Sequence, residues 1–392
     1  MQPTHDPIVF SLFVIFAGAA VVATAALFAR QALPVAYILL GIMIGPYGFA
    51  LVDDPETVGG MADIGIIFLL FLLGLDLAPK GLAHMLRKAT LVTLATSILF
   101  AGVGYGVARA FGFSGNDPWL IGAGMMFSST IIGLKLLPTT ALHHQRMGEI
   151  IISILLLQDL IAIAILLLIE GLSGVETPSS WQVAGRILAL PALLTLAFTA
   201  ARYLLIPLIR RFNKIREYIF LTAIGWCLGM AVFAALMGLS HEIGAFIGGV
   251  ALATSPIALY IADSLKPLRD FFLILFFFSL GAGFDVAVLN SVLLPALVLG
   301  ALMIVIKPLA FKHLLRGTGE EGPRSLEIGF RLGQVSEFSL LIAVLAVEAG
   351  AMSYQASYVV QAATLVTFVA STYLVVLRYP TPVAVSDRLR RD

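Results

Sequence analysis

Charge is scarce in this chain. Only 12% of its 392 residues are Asp, Glu, Lys or Arg, about half the ~25% of a soluble domain. Hydrophobic residues make up 60%, and the mean hydropathy is +1.01. So few charges cannot keep so much apolar surface in water, which excludes a soluble fold. Cysteine is nearly absent. Cys227 stands alone, so there is no disulfide framework and no thiolate metal site. Neither HExxH nor GxSxG occurs, so intramembrane hydrolysis has no support and an enzyme is not expected. The net charge of +1 gives no reason to expect a nucleic-acid partner. Residues 1–7 contain no Lys or Arg. The apolar stretch after them lacks the basic lead-in of a signal peptide and reads as a retained helix.

What is present is a series of apolar runs. Windows of about 20 residues predict an all-α membrane protein with thirteen transmembrane helices. They cover 8–28, 34–50, 62–78, 90–111, 119–137, 149–171, 182–209, 216–238, 241–262, 268–284, 288–312, 324–347 and 354–377. With this count, 18 of the 24 basic residues fall in loops and tail on one side. The other side holds only Arg109 and Arg186. The positive-inside rule then places the N-terminus outside and the C-terminus in the cytoplasm, across the inner (plasma) membrane of the cell.

The runs repeat. LLFLLGLDLAPK (69–80) and LFFFSLGAGFDVAVLN (275–290) each end a Phe/Leu-rich helix in Gly-apolar-Asp. AYILLGIMIG (36–45) and GAFIGGVALA (244–253) match at nearly the same offset. The two copies run in opposite directions, which predicts two inverted repeats, helices 1–6 (residues 1–181) and helices 8–13 (216–378). Helix 7 (182–215) links them, and 379–392 is a short cytoplasmic tail. Inverted repeats are the architecture of secondary transporters. About 50 residues after each Gly-apolar-Asp comes a polar interruption, MMFSSTIIGLK (125–135) and RLGQVSEFSLL (331–341). Matched interruptions predict crossed, broken helices whose open ends meet near the bilayer midplane.

One carboxylate stands out. Asp159 lies ten residues from Glu149 and eleven from Glu170, in the middle of helix 6. An ionised Asp at that depth costs about 2.5–3.5 kcal/mol, so it needs a cavity, a partner or a proton. Either a proton or a monovalent cation neutralises it, and that competition yields one-for-one exchange. Gln158, Ser128, Ser129 and Thr130 offer neutral oxygens for the cation. Lys307 either pairs with an acid or braces a broken helix, or it snorkels to the cytoplasmic surface. Arg331 and Glu337 flank the second interruption beside Ser336, and an ion pair between them is expected. Weaker features are an acidic outer loop (Asp53, Asp54, Glu56) and two loop histidines (His143, His144).

These residues resemble a family. LPVAYILLGIMIGPYG (33–48), DIGIIFLLFLLGLDLAPKGL (63–82), SSTIIGLKLL (128–137), LLLQDLIAIAILLL (155–168), FFFSLGAGFD (276–285) and LGQVSEFSLLIAV (332–344) resemble the second superfamily of monovalent cation:proton antiporters. They resemble especially its Kef-type potassium/proton branch. The resemblance implies an NhaA/NapA-like fold, a homodimer and an elevator-type movement of a core domain. It implies that Asp159 carries cation and proton, that Thr130 lies near the ion, and that Gln158 favours potassium and electroneutral exchange. Lys307 matches a lysine that pairs with an aspartate in electrogenic relatives. Here that aspartate is Gln158, which leaves the role of Lys307 open. No cofactor is implied beyond the transported K+ or Na+ and H+. Kef-type proteins carry a cytoplasmic nucleotide-binding domain after the last helix. The short tail here leads us to expect either a short, unregulated member or one whose regulatory domain is separate or has been removed.

Overall fold

The computed structural model describes residues 7–52, 55–76, 79–138, 146–172, 180–212 and 215–382. Asp53, Asp54, His143 and His144 lie outside the described residues. Helices dominate. They are α1 (Pro7–Phe28), α2 (Leu33–Ile44), α3 (Pro55–Asp76), α4 (Pro79–Ala110), α5 (Asp117–Met125), α6 (Thr130–Lys135), α7 (Arg146–Leu172), α8 (Ser180–Ala200) and α9 (Ile206–Arg211). Then come α10 (Arg216–Leu236), α11 (His241–Ala253), α12 (Ile257–Ala282), α13 (Leu289–Gly317), α14 (Gly322–Arg331), α15 (Glu337–Glu348) and α16 (Tyr354–Arg378). Among the described residues, seven helices are long and apolar enough to cross a membrane, and three shorter ones are also apolar.

Both polar interruptions are breaks in the backbone. The stretch expected at 119–137 is split into α5 and α6, and the one at 324–347 into α14 and α15. Ser129 and Ser336 are extended N-caps, with ψ of 121° and 155°. Each accepts a backbone N–H from the turn it starts, at 3.1 Å, which is how serine begins a helix.

One expected boundary is corrected. Helices at 241–262 and 268–284 were predicted, but the chain turns at 254–256, and α12 starts at Ile257. Pro256 biases Ser255 away from helical angles. Pro267, at the expected break, sits inside α12. A proline there removes one backbone hydrogen bond, and a long membrane helix tolerates the loss.

The chain divides into two compact units. One holds residues 1–20, 37–82 and 174–283, and the other holds 21–36, 83–173 and 284–392. The first is closed by glycine. A Cβ on Gly41 of α2 would strike the Phe278 carbonyl of α12, and one on Gly281 would strike Ile38. A Cβ on Gly249 of α11 would strike the Phe71 carbonyl of α3, and one on Gly74 would strike Phe246. Backbones this close leave no room for a side chain, which is the packing small residues allow in membranes. The second unit gathers α4 to α7 and α13 to α16, and both breaks lie inside it.

Candidate functional site

The second unit holds the nine site candidates read from the sequence, Ser128, Ser129, Thr130, Gln158, Asp159, Lys307, Arg331, Ser336 and Glu337. Asp159 is 2% exposed, midway along α7, a 27-residue helix. Thr130, the first residue of α6, points its Oγ1 at both Asp159 carboxylate oxygens, at 3.4 and 3.5 Å. These distances are at the outer limit of hydrogen-bond reach, so the hydroxyl sits beside the carboxylate without being committed to either oxygen.

Breaking a helix inside an apolar medium exposes peptide groups that must find partners. In the first break the adjacent glutamine supplies two. Gln158 Oε1 accepts the Ser128 N–H at 2.9 Å, and its Nε2 donates to the Met126 carbonyl at 3.3 Å. A carboxylate could accept from Ser128 but could not donate to Met126. Ser128 Oγ donates to the Leu332 carbonyl of the second break at 2.8 Å.

Lys307 joins the two breaks. It is fully buried in α13. Its ammonium donates to the Phe127 carbonyl, to the Gln334 carbonyl at 3.2 Å and to Ser128 Oγ at 3.4 Å. An ammonium has three N–H donors, and here each has an acceptor. The Phe100 ring lies 5.1 Å from the nitrogen, close enough for a cation–π contact. Of the readings left open, these contacts match bracing a broken helix and not snorkelling. None of the ion pairs among the described residues involves Lys307.

Glu337 takes the opposite ends. It is the first residue of α15 and 3% exposed. Its Oε1 accepts the Ile131 N–H of α6 at 3.2 Å. A carboxylate at a helix start and an ammonium at freed carbonyls each oppose the local backbone dipole. The ion pair expected between Arg331 and Glu337 does not form. Arg331 instead pairs with Glu327, one turn back on α14, at 2.7 Å. The five residues between Arg331 and α15 are unwound, so the two charges no longer share a helix.

Several groups at the second break were not singled out from the sequence. Gln334 Nε2 donates to Arg331 O at 2.9 Å and to Ser129 O at 3.4 Å, and its Oε1 accepts from Ser371 Oγ at 2.9 Å. Thr367 Oγ1 accepts the Val335 N–H at 3.0 Å. Gln334 had a signal: it is, like Gln158, a glutamine at mid-span depth that can both donate and accept. Thr367 and Ser371 lie in α16, far along the chain, and had none.

Comparison with known proteins adds two findings. A family model described as "Sodium/hydrogen exchanger, transmembrane" matches residues 12–377. Among solved structures, the chain is similar to the sodium proton antiporter MjNhaP1 from Methanocaldococcus jannaschii. For its structure at pH 8 the TM-score is 0.64 and the identity 16%, over 93% of this chain and 92% of that one. For an electron-microscopy structure of the same antiporter the TM-score is 0.58 and the identity 15%, over 94% and 92%. At these identities the likeness speaks for the fold.

Proposed function

The chain belongs to the sodium/hydrogen exchanger family, and from that premise we propose that it exchanges a monovalent cation for protons at Asp159. Potassium is the first choice and sodium the second. The observation that carries this reading is the placement of Asp159. It is a buried carboxylate at the middle of an apolar helix, beside an unwound break that aims a threonine hydroxyl at it. Cation and proton compete for that carboxylate, so one leaves as the other binds. Thr130 makes the nearest protein contact to the cation. Gln158, Ser128 and Ser129 hold the break in shape and lend oxygens from its rim. Gln158 is neutral, so the site carries one exchangeable charge and the exchange is electroneutral.

Thirteen helices in two inverted repeats complete the proposed architecture. The glycine contacts support it. Gly41 of α2 meets α12 as Gly249 of α11 meets α3, and the two contacts interchange when one repeat is mapped onto the other. The unit holding Asp159 moves as the carrier in an elevator-type cycle. The protein works as a homodimer in the plasma membrane, with a cytoplasmic C-terminus.

The test is proton flux in proteoliposomes with a trapped pH dye, after pulses of K+, Na+ or Li+. Potassium-driven flux that persists at clamped zero voltage and vanishes in Asp159→Asn is the expected result. A response to sodium alone changes the substrate and keeps the mechanism. No flux with any cation overturns the reading and leaves a symporter or a channel as the next candidates.

A further inference from the structure

A second polar cluster, apart from the cation-facing groups, surrounds Arg331. Its side chain is 1% exposed, although it is the last residue of α14. A guanidinium buried so fully needs partners for its fork of donors. Nε and Nη2 bond Glu327 Oε1 at 3.0 and 2.7 Å. Nη1 donates to the Leu136 carbonyl at 2.8 Å, and Nη2 also donates to the Pro380 carbonyl at 2.9 Å. Three separate pieces of chain thus meet on one side chain: the edge of the second break, the residue that ends α6, and the segment that follows α16.

Each piece is held by more than the guanidinium. Leu136 packs in an apolar cluster with Val35, Ile132, Phe368, Val375 and Val376, and Tyr379 lies against that cluster. The Tyr379 ring is 5.8 Å from the guanidinium and 5.8 Å from the Phe330 ring. Burial, the largest influence, pushes the Tyr379 phenol above its ordinary range, so the ring stays uncharged at working pH. Thr381 is fully buried, and its hydroxyl has no hydrogen-bond partner. Residues 379–382 are therefore seated on this unit by packing and by Arg331.

The other end of α6 is the cation site. The helix has only six residues, about 9 Å of rise, with no interruption between its ends. Thr130 at its start faces Asp159, and the adjacent Ile131 N–H is held by Glu337. A shift at Leu136 reaches Thr130 without a joint between them.

We propose that Arg331 is a positioning residue that fastens the segment after α16 to the far end of α6, so that movement of residues 379–382 tunes the cation affinity at Asp159. The inference rests on the exchange reading given above. Its chemistry is a planar fork that satisfies two carbonyls at once, which an ammonium on a flexible stem reproduces poorly.

Two variants test it. Arg331→Lys keeps the charge beside Glu327 and loses the fork. Thr381→Asp leaves Arg331 intact and drives the seated segment out by placing a larger, charged side chain at a fully buried position. Dye-monitored exchange after KCl and NaCl pulses gives the apparent KM and the maximal rate. Both variants are expected to raise the KM by about tenfold, the equivalent of one or two lost hydrogen bonds, with the maximal rate changed less than ~2-fold. The double variant is expected to fall short of the product of the two effects, since both break one linkage. If Arg331→Lys does not reach the membrane, Thr381→Asp alone decides. An unchanged KM with a lower melting temperature would make Arg331 a fold-holding residue only and overturn the proposal. Absence of exchange in the unmodified protein would instead overturn the exchange reading itself.

Discussion

The two broken helices solve one problem in different ways. At the first break the freed peptide groups are paired from outside. Gln158 of α7 pairs with Met126 and Ser128, and Lys307 takes Phe127. The next residue on α7 is Asp159, so the side chain that holds the break is chained to the carboxylate beside it. At the second break Ser128 and Lys307 take two carbonyls, and the rest of the pairing comes from the break itself and from α16. Gln334 folds back on Arg331, Thr367 accepts the Val335 N–H, and Ser371 holds the Gln334 side chain. Its one carboxylate, Glu337, turns one oxygen to the start of α6. Matched interruptions therefore do not imply matched duties. On the exchange proposed above, the first carries the exchanging group and the second holds the first in place.

That division can be broken most severely at Lys307, which serves both breaks. Lys307→Met leaves the Phe127 and Gln334 carbonyls unpaired in a dry interior. Buried unsatisfied groups cost about 1–3 kcal/mol each, so a loss on the order of 3 kcal/mol or more is expected, read as a collapse of the melting temperature in detergent. Survival with normal stability would mean that the breaks do not depend on the ammonium.

The division sharpens with Thr130→Val and Ser371→Ala compared side by side. Thr130→Val keeps the shape and removes the hydroxyl facing Asp159. The apparent cation KM should rise about tenfold with little change in melting, as expected for one lost contact to a charge. Ser371→Ala removes one donor to Gln334 and should cost about 1 kcal/mol of stability while leaving the KM alone. If the two variants exchanged phenotypes, the assignment of duties would be reversed.

A smaller effect is expected from Glu337→Gln. The amide oxygen can still accept from Ile131, so the helix start stays capped and only the charge opposite its dipole is lost, about 0.3–1 kcal/mol. The melting temperature of the purified protein checks this. A loss of several kcal/mol would show that the negative charge itself holds the crossing.

Much of this was readable from the chain. Asp159 was legible because an acid at the centre of an apolar run has no inexpensive explanation. The breaks were legible because Ser, Thr, Gln and Gly recur at mid-span depth in two places. The pairing of Arg331 was misread, although its partner could have been found. Glu327 lies four residues back on the same face of α14, where helical charges meet, while Glu337 lies beyond an unwound stretch. The turn at 254–256 was missed because hydropathy runs smoothly through it, and only Pro256 marks it.

Composition and pattern alone determined that this is a helical membrane protein with a buried acid and two mid-span interruptions. The reason is local: burial of apolar runs, and the cost of charge or open backbone in lipid, act residue by residue. Which groups satisfy the open backbone was decided only by the tertiary structure. Lys307 lies 180 positions from Phe127, Ser371 lies 37 from Gln334, and Pro380 lies 49 from Arg331. Hydrogen bonds over such separations depend on where helices pack, and no periodicity along the chain records that.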